Sequence, residues 1–192
     1  MLAGATDVFG LARLDGLFVS FMSGNTTLLG VSLGHAGWAR SEIIAILVGL
    51  FVAGAAAGAM LEILGGRRHA ALVIAAVACA LAVPLAWPRW TVTSYVVAMG
   101  ALNAAMTRIG EAAISLTYVT GTLVKLGQGI GRALCGRPSD WAWLWHAVMW
   151  LSLLAGAALG AVAQACLGKE AVWPLPAFAS LLAVSALMQR RN

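Results

Sequence analysis

Asp7 stands inside the apolar run "MLAGATDVFG". A carboxylate in so greasy a segment is costly, which makes it a functional candidate by default, as a carrier of a proton or a cation. A second candidate is the stretch "FVSFMSGNTTLLG" (18–30), where Ser23, Gly24, Asn25, Thr26 and Thr27 interrupt an otherwise apolar run. "TYVTGTLVKLG" (117–127) repeats the pattern with Thr120, Gly121 and Thr122. In both, aromatic and β-branched residues precede the polar group and read as extended chain, whereas a helical pattern follows it. Ser23 and Thr120 are suited to cap a helix start, and glycine permits the sharp backbone change. A helix start offers unpaired N–H groups and a partial positive charge. The chemistry to expect is therefore capture of an anion, a carboxylate or water, assisted by the Asn25, Thr26, Thr27 and Thr122 side chains. Asn103 is the counterpart of Asp7 in "GALN" (100–103), aligned with "GATD" (4–7). The competing reading is that these Ser, Thr and Gly residues only pack helices, with their hydroxyls bonded back to the backbone.

These residues must be positioned within a membrane. Of 192 residues, 61% are hydrophobic and 10% charged, with mean hydropathy +0.91, whereas a soluble domain carries roughly 25% charged residues. The twelve Lys and Arg lie singly or in pairs at the ends of apolar stretches, where they set topology and meet lipid headgroups rather than nucleic acid. Cys79, Cys135 and Cys166 share no metal-ligand spacing and read as packing residues. No cofactor is expected. The chain start has no charged region or cleavage site of a signal peptide.

Stretches 43–64, 69–88, 143–167 and 173–188 are apolar enough to cross a bilayer, which takes about 20 residues. Shorter apolar stretches, 1–12 and 92–107, precede the charged knots "RLDG" and "RIGE". With "AGAAAGA" (53–59) matching "AGAALGA" (155–161), the order suggests one membrane domain of two related halves, 1–88 and 92–192. Repeated halves are a common plan for transporters. The small-residue pairs Gly54/Gly58 and Gly156/Gly160 let helices approach closely. Packing of the halves within one chain is their first reading, and a homodimer contact the second.

If every segment crosses, eight spans put Arg13, Arg67, Arg68, Arg108 and Lys169 opposite Arg40, Arg89, Arg132, Arg137, Arg190 and Arg191. If the Ser-Gly and Thr-Gly segments re-enter instead, six spans gather Arg67, Arg68, Arg108, Arg132, Arg137, Arg190 and Arg191 on one side. The positive-inside rule favours the second. The expected fold is an all-α integral membrane protein of six transmembrane helices plus two discontinuous segments, both termini cytoplasmic and the halves inverted. Residues 1–12 make only about 18 Å of helix, which suggests a natural chain beginning upstream.

Elsewhere, Arg108 and Glu111 are spaced to pair, and Lys125 reads as a snorkelling cation. His146 lies in "WAWLWHAVMW" (141–150), which holds four of the eight tryptophans and reads as an interfacial belt. No catalytic motif appears, and an enzyme is not expected.

The segments "GATDVFG" (4–10), "LFVSFMSGNTTLLG" (17–30), "GALNAAMTRIG" (100–110) and "TYVTGTLVKLGQGI" (117–130) resemble the YoaK-like family of small bacterial membrane proteins, whose domain has no known function. The family usually has Thr where this chain has Ser23 and tends to begin upstream of Met1. The resemblance implies a multi-pass protein of the bacterial inner membrane and brings no substrate. The residues themselves point to a small-solute transporter or channel, with a non-transporting membrane partner or assembly protein as the alternative. A cavity touching Asp7, Asn25 and Thr122 would mark transport, and a dry core the alternative.

Overall fold

The computed structural model describes residues 1–66, 69–105, 119–136, 143–168 and 173–188. Its helices are α1 (Leu2–Arg13), α2 (Met22–Gly34), α3 (Trp38–Gly65), α4 (His69–Ala86), α5 (Thr91–Ala105), α6 (Val119–Leu134), α7 (Trp143–Leu167) and α8 (Pro174–Met188). No strand occurs among the described residues. The predicted apolar stretches are helices within a few residues of their expected ends. Three described helices, α3, α4 and α7, are long and apolar enough to cross a bilayer, while α8 is a shorter apolar helix. Arg67, Arg68, Arg108, Glu111, Arg137, Lys169, Arg190, Arg191 and most of the extended stretch before Thr120 lie outside the described residues.

Glycines decide how the long helices pair. A Cβ at Gly54 would strike the Val97 carbonyl, and one at Gly58 the Ala101 backbone, so α3 lies directly on α5. In the same way a Cβ at Gly156 would strike the Met1 carbonyl and one at Gly160 would meet Ala5, so α7 lies on α1. Gly100 faces the Phe51 carbonyl and the Ala55 nitrogen, and Gly4 faces the Leu153 carbonyl and the Ala157 nitrogen. Each contact of one pair thus has its counterpart in the other, at a constant spacing along the chain. Both pairs run parallel, since stepping four residues along one helix steps four along its mate. Backbones meeting this closely gain dispersion and Cα–H···O contacts that larger side chains would prevent. Both small-residue motifs are therefore spent inside the chain, joining its first half to its second.

α1 and α5, the short helices of these pairs, run antiparallel to each other. Phe9 meets Tyr95 edge-on at 6.3 Å. Arg13 shares a cavity with Thr91, and Leu2 shares another with Leu102. This register sets Asp7 level with Val97 and hence with Gly54. Gly54 is near the middle of α3, whose 28 residues extend roughly 42 Å. Tyr95, Val96 and Met99 of α5, with Ile44, Val73, Val77 and Leu81 around them, form the most deeply buried core.

A polar break held by Asp7 and Asn25

α1 stops at Arg13 because the chain then turns through left-handed backbone. Asp15 (φ 49°) and Gly16 (φ 83°) adopt it, and of the common residues Gly and Asp tolerate it best. Arg40 holds the turn from α3, with its guanidinium on the Asp15 carboxylate at 2.6 Å and on the Asp15 carbonyl at 2.9 Å. From Leu17 to Phe21 the chain is not helical, as its aromatic and β-branched composition suggested, and α2 begins at Met22. Leu17 and Val19 anchor the segment in the core, at 2% and 1% exposure.

A non-helical segment at this depth needs partners for its peptide groups, and two side chains supply them. Asp7 Oδ1 accepts from the Val19 N–H (2.8 Å) and the Ser20 N–H (2.6 Å), and its Oδ2 accepts from the Ser20 hydroxyl (2.6 Å). Asn25 takes the other side. Its Oδ1 accepts from the Phe18 N–H at 2.9 Å, and its Nδ2 donates to the Phe18 carbonyl at 2.7 Å. Asn25 is fully buried and Ser20 nearly so. The pair of bonds to one residue's N–H and C=O is what a neighbouring strand would make, here supplied by a primary amide.

The structure corrects several sequence expectations. Ser23 is not the cap of α2. Phe21 holds that position without a side-chain cap bond, and Ser23 is an exposed residue of the first turn. Thr26 and Thr27 are exposed and bond back to the Met22 carbonyl (2.8 Å) and the Ser23 carbonyl (3.1 Å). The cause is helical spacing. Steps of 100° put Asn25 and Ser32 on the buried face and turn positions 23, 26 and 27 away from it. Gly24 lies under the Phe18–Phe21 edge-to-face pair, whose rings a Cβ would strike. Its hydrogen side chain makes room for aromatic rings rather than for a ligand.

α6 starts at Val119 in the same register, with Thr120 exposed and Gly121 and Thr122 buried. Thr120 is thus the second residue of α6 and not its cap. Thr122 and Val119 line a cavity of about 490 Å³ together with Leu2, Leu102, Met149 and Ser152. Asn103 donates from Nδ2 to the Met99 carbonyl of its own helix at 2.9 Å. Lys125 is exposed, and His146 is half-buried with its Nδ1 unpartnered among the described residues. Neither Asp7 nor Asn25 borders this cavity, the one beside Gly156 and Pro174, or the one beside Arg13 and Gln164. The nine candidates are therefore not gathered in one place. Asp7 and Asn25 share the first break, Thr122 borders a cavity, and Ser23, Thr26 and Thr120 face outward.

Sequence reasoning missed a third cavity, of about 640 Å³, bordered by Arg13, Thr91 and Gln164. A lone Gln near the end of the apolar run of α7 was the available signal.

The comparisons with known proteins agree with a membrane protein. The family described as "Protein of unknown function (DUF1275)" matches residues 1–185. The chain is 39% identical over 188 residues to a UPF0700 transmembrane protein of Rhizobium meliloti (strain 1021), covering 98% of this chain and 82% of that one. No solved structure matches.

Proposed function

The chain belongs to the family of unknown function (DUF1275) and is an α-helical membrane protein, and on that premise we propose that it is a small-solute transporter or channel of the bacterial inner membrane. The observation that carries this reading is the non-helical Leu17–Phe21 segment, level with the middle of α3 and held by the carboxylate of Asp7. Broken helices at such depth are how many transporters build their sites.

Two further features support a design of two inverted halves. The α1–α7 and α3–α5 contacts correspond residue by residue. α1 and α5, which occupy equivalent places in those contacts, run antiparallel. An odd number of crossings per half gives that relation, as in six spans with α2 and α6 re-entrant, both termini on the cytoplasmic side. Eight crossings would set α1 and α5 parallel.

In this reading the first break is a latch rather than an anion site, because the amides that would attract a solute anion already hold Asp7. Protonating Asp7 weakens three charge-assisted bonds at once, each worth about 1.5–3 kcal/mol. That frees the segment to move while Asn25 keeps its hold on Phe18. The solute, not a metal or cofactor reaction, is the object of the chemistry, and no catalytic role is proposed.

A thermal-shift screen of small solutes on the purified protein, followed by flux in proteoliposomes, tests this. Asp7→Asn should abolish pH-dependent flux of any solute found, and Asn25→Ala should lower it. Equal flux in wild type and both variants would remove these residues from the mechanism. A second reading is a non-transporting partner or assembly protein, and it is favoured by the commitment of Asp7 and Asn25 to bonds within the chain and by their standing apart from the cavity that Thr122 borders. Absence of flux for every solute that stabilises the protein would decide for that reading.

A further inference from the structure

The cavity at the far end of α1 is chemically unlike the others. Arg13 enters it from α1, Thr91 from α5 and Gln164 from α7, while Pro84, Pro88 and Trp173 give it an apolar wall. Among the described residues, none that borders it is acidic. The guanidinium of Arg13 lies over the Phe9 ring, 5.8 Å from its centroid, and no carboxylate among the described residues pairs with it. The Gln164 amide has no hydrogen-bond partner among the described residues. Thr91 donates its proton to the Pro88 carbonyl at 2.6 Å, so it offers only an acceptor.

A further unused donor stands close by. The Tyr95 hydroxyl is buried without a partner among the described residues, and it lies within electrostatic reach of Arg13. Tyr95 is one helical turn from Thr91. Side chains on a helix lean toward its N-terminus, which for α5 is the end where this cavity opens. The Gln164 amide and the permanent positive charge of Arg13 thus face a space that no described acid borders, next to an apolar wall, with the Tyr95 hydroxyl one turn behind them. Such a set suits an acceptor carrying a single negative charge on an apolar body, and a guanidinium fork fits the two oxygens of a carboxylate or phosphate.

We propose that the Arg13–Gln164 cavity binds the oxyanion head of an amphiphile, a carboxylate or a phosphodiester, with its apolar body against Pro84, Pro88 and Trp173. This site is separate from the Asp7 latch and does not depend on whether solute crosses the membrane. Its place, at the ends of α1, α4 and α7 and the starts of α5 and α8, is open to either of two sources. One is a phospholipid headgroup and the other a water-soluble amphiphile.

The test is binding to the intact protein in neutral detergent. Phosphatidylglycerol is compared with phosphatidylcholine by native mass spectrometry, and octanoate with octanol by calorimetry. The wild type is expected to prefer at least one anionic probe by about tenfold, the worth of one charge-assisted hydrogen bond, and Arg13→Gln to erase the preference. Preference for phosphatidylglycerol alone identifies a lipid site, and preference for octanoate identifies a soluble ligand. Arg40→Gln removes a cation outside the cavity and should leave the preference intact. Should Arg13→Gln fail to fold, Gln164→Leu is expected to weaken anion binding several-fold with unchanged melting. The proposal is overturned by no anion preference in the wild type, by equal losses in Arg13→Gln and Arg40→Gln, or by undiminished binding in Gln164→Leu.

Discussion

The α1–α7 and α3–α5 pairs match contact for contact, yet different polar chemistry stands beside them. In the first half Asp7 and Asn25 clamp a non-helical segment from both sides. At the corresponding positions of the second half stand Asn103, which donates to its own helix, and Thr122, which borders a cavity. Glycine contacts are kept in both halves and the polar residues are not. The lesson is that close packing fixes the architecture, while the side chains at the breaks are free to differ. The break of the first half reads as a part held shut, whereas Thr122 of α6 borders open space.

The largest test of that contrast is removal of the carboxylate. Asp7→Leu leaves two amides and a hydroxyl without their acceptor and should lower stability in detergent by about 4 kcal/mol, at about 1–3 kcal/mol for each buried unsatisfied group. Asn103→Leu should cost no more than about half as much. A reversed order in thermal unfolding would undo the assignment of Asp7 as the latch. Next, Asn25→Ala strands the backbone N–H and C=O of Phe18, for about 2–3 kcal/mol. Thr122→Ala, beside a cavity, should cost about 1 kcal/mol or less. Equal losses at the two positions would mean that Thr122 carries a structural load like that of Asn25. Smallest is the difference expected where the halves agree. Gly4→Ala and Gly100→Ala each push a methyl group into a carbonyl, of Leu153 and Phe51 respectively. Each should cost about 2 kcal/mol. Values well apart would deny that the two interfaces are equivalent.

Much of the fold was legible in the sequence because its signals are local. Apolar length gave the long helices, the aromatic and β-branched run "LFVSF" gave the extended segment, and the Gly/Ala motifs gave the close contacts. The site was legible in part. Asp7 and Asn25 stood out as polar residues in apolar surroundings, but their partners are peptide groups up to 13 positions away, and no residue type announces a peptide as a partner. Ser23 and Thr120 read as caps and Thr26 as a further polar side chain, but each helix begins a residue or more before them, and part of a helical turn, about 100–160° for Ser23 and Thr26, separates them from the buried face. The Arg13 cavity is assembled from ends of five helices, so the lone Gln164 of α7 was a faint local sign of it.

The central claim, that the halves are inverted around re-entrant α2 and α6, is tested most directly by the sidedness of the two turns flanking α2. In a protein freed of Cys79, Cys135 and Cys166, single cysteines at Gly16 and His35 are labelled with a membrane-impermeant thiol reagent on intact cells. Labelling of both from the same, outer side is the predicted result. Labelling from opposite sides would show that α2 crosses the membrane and would contradict the account.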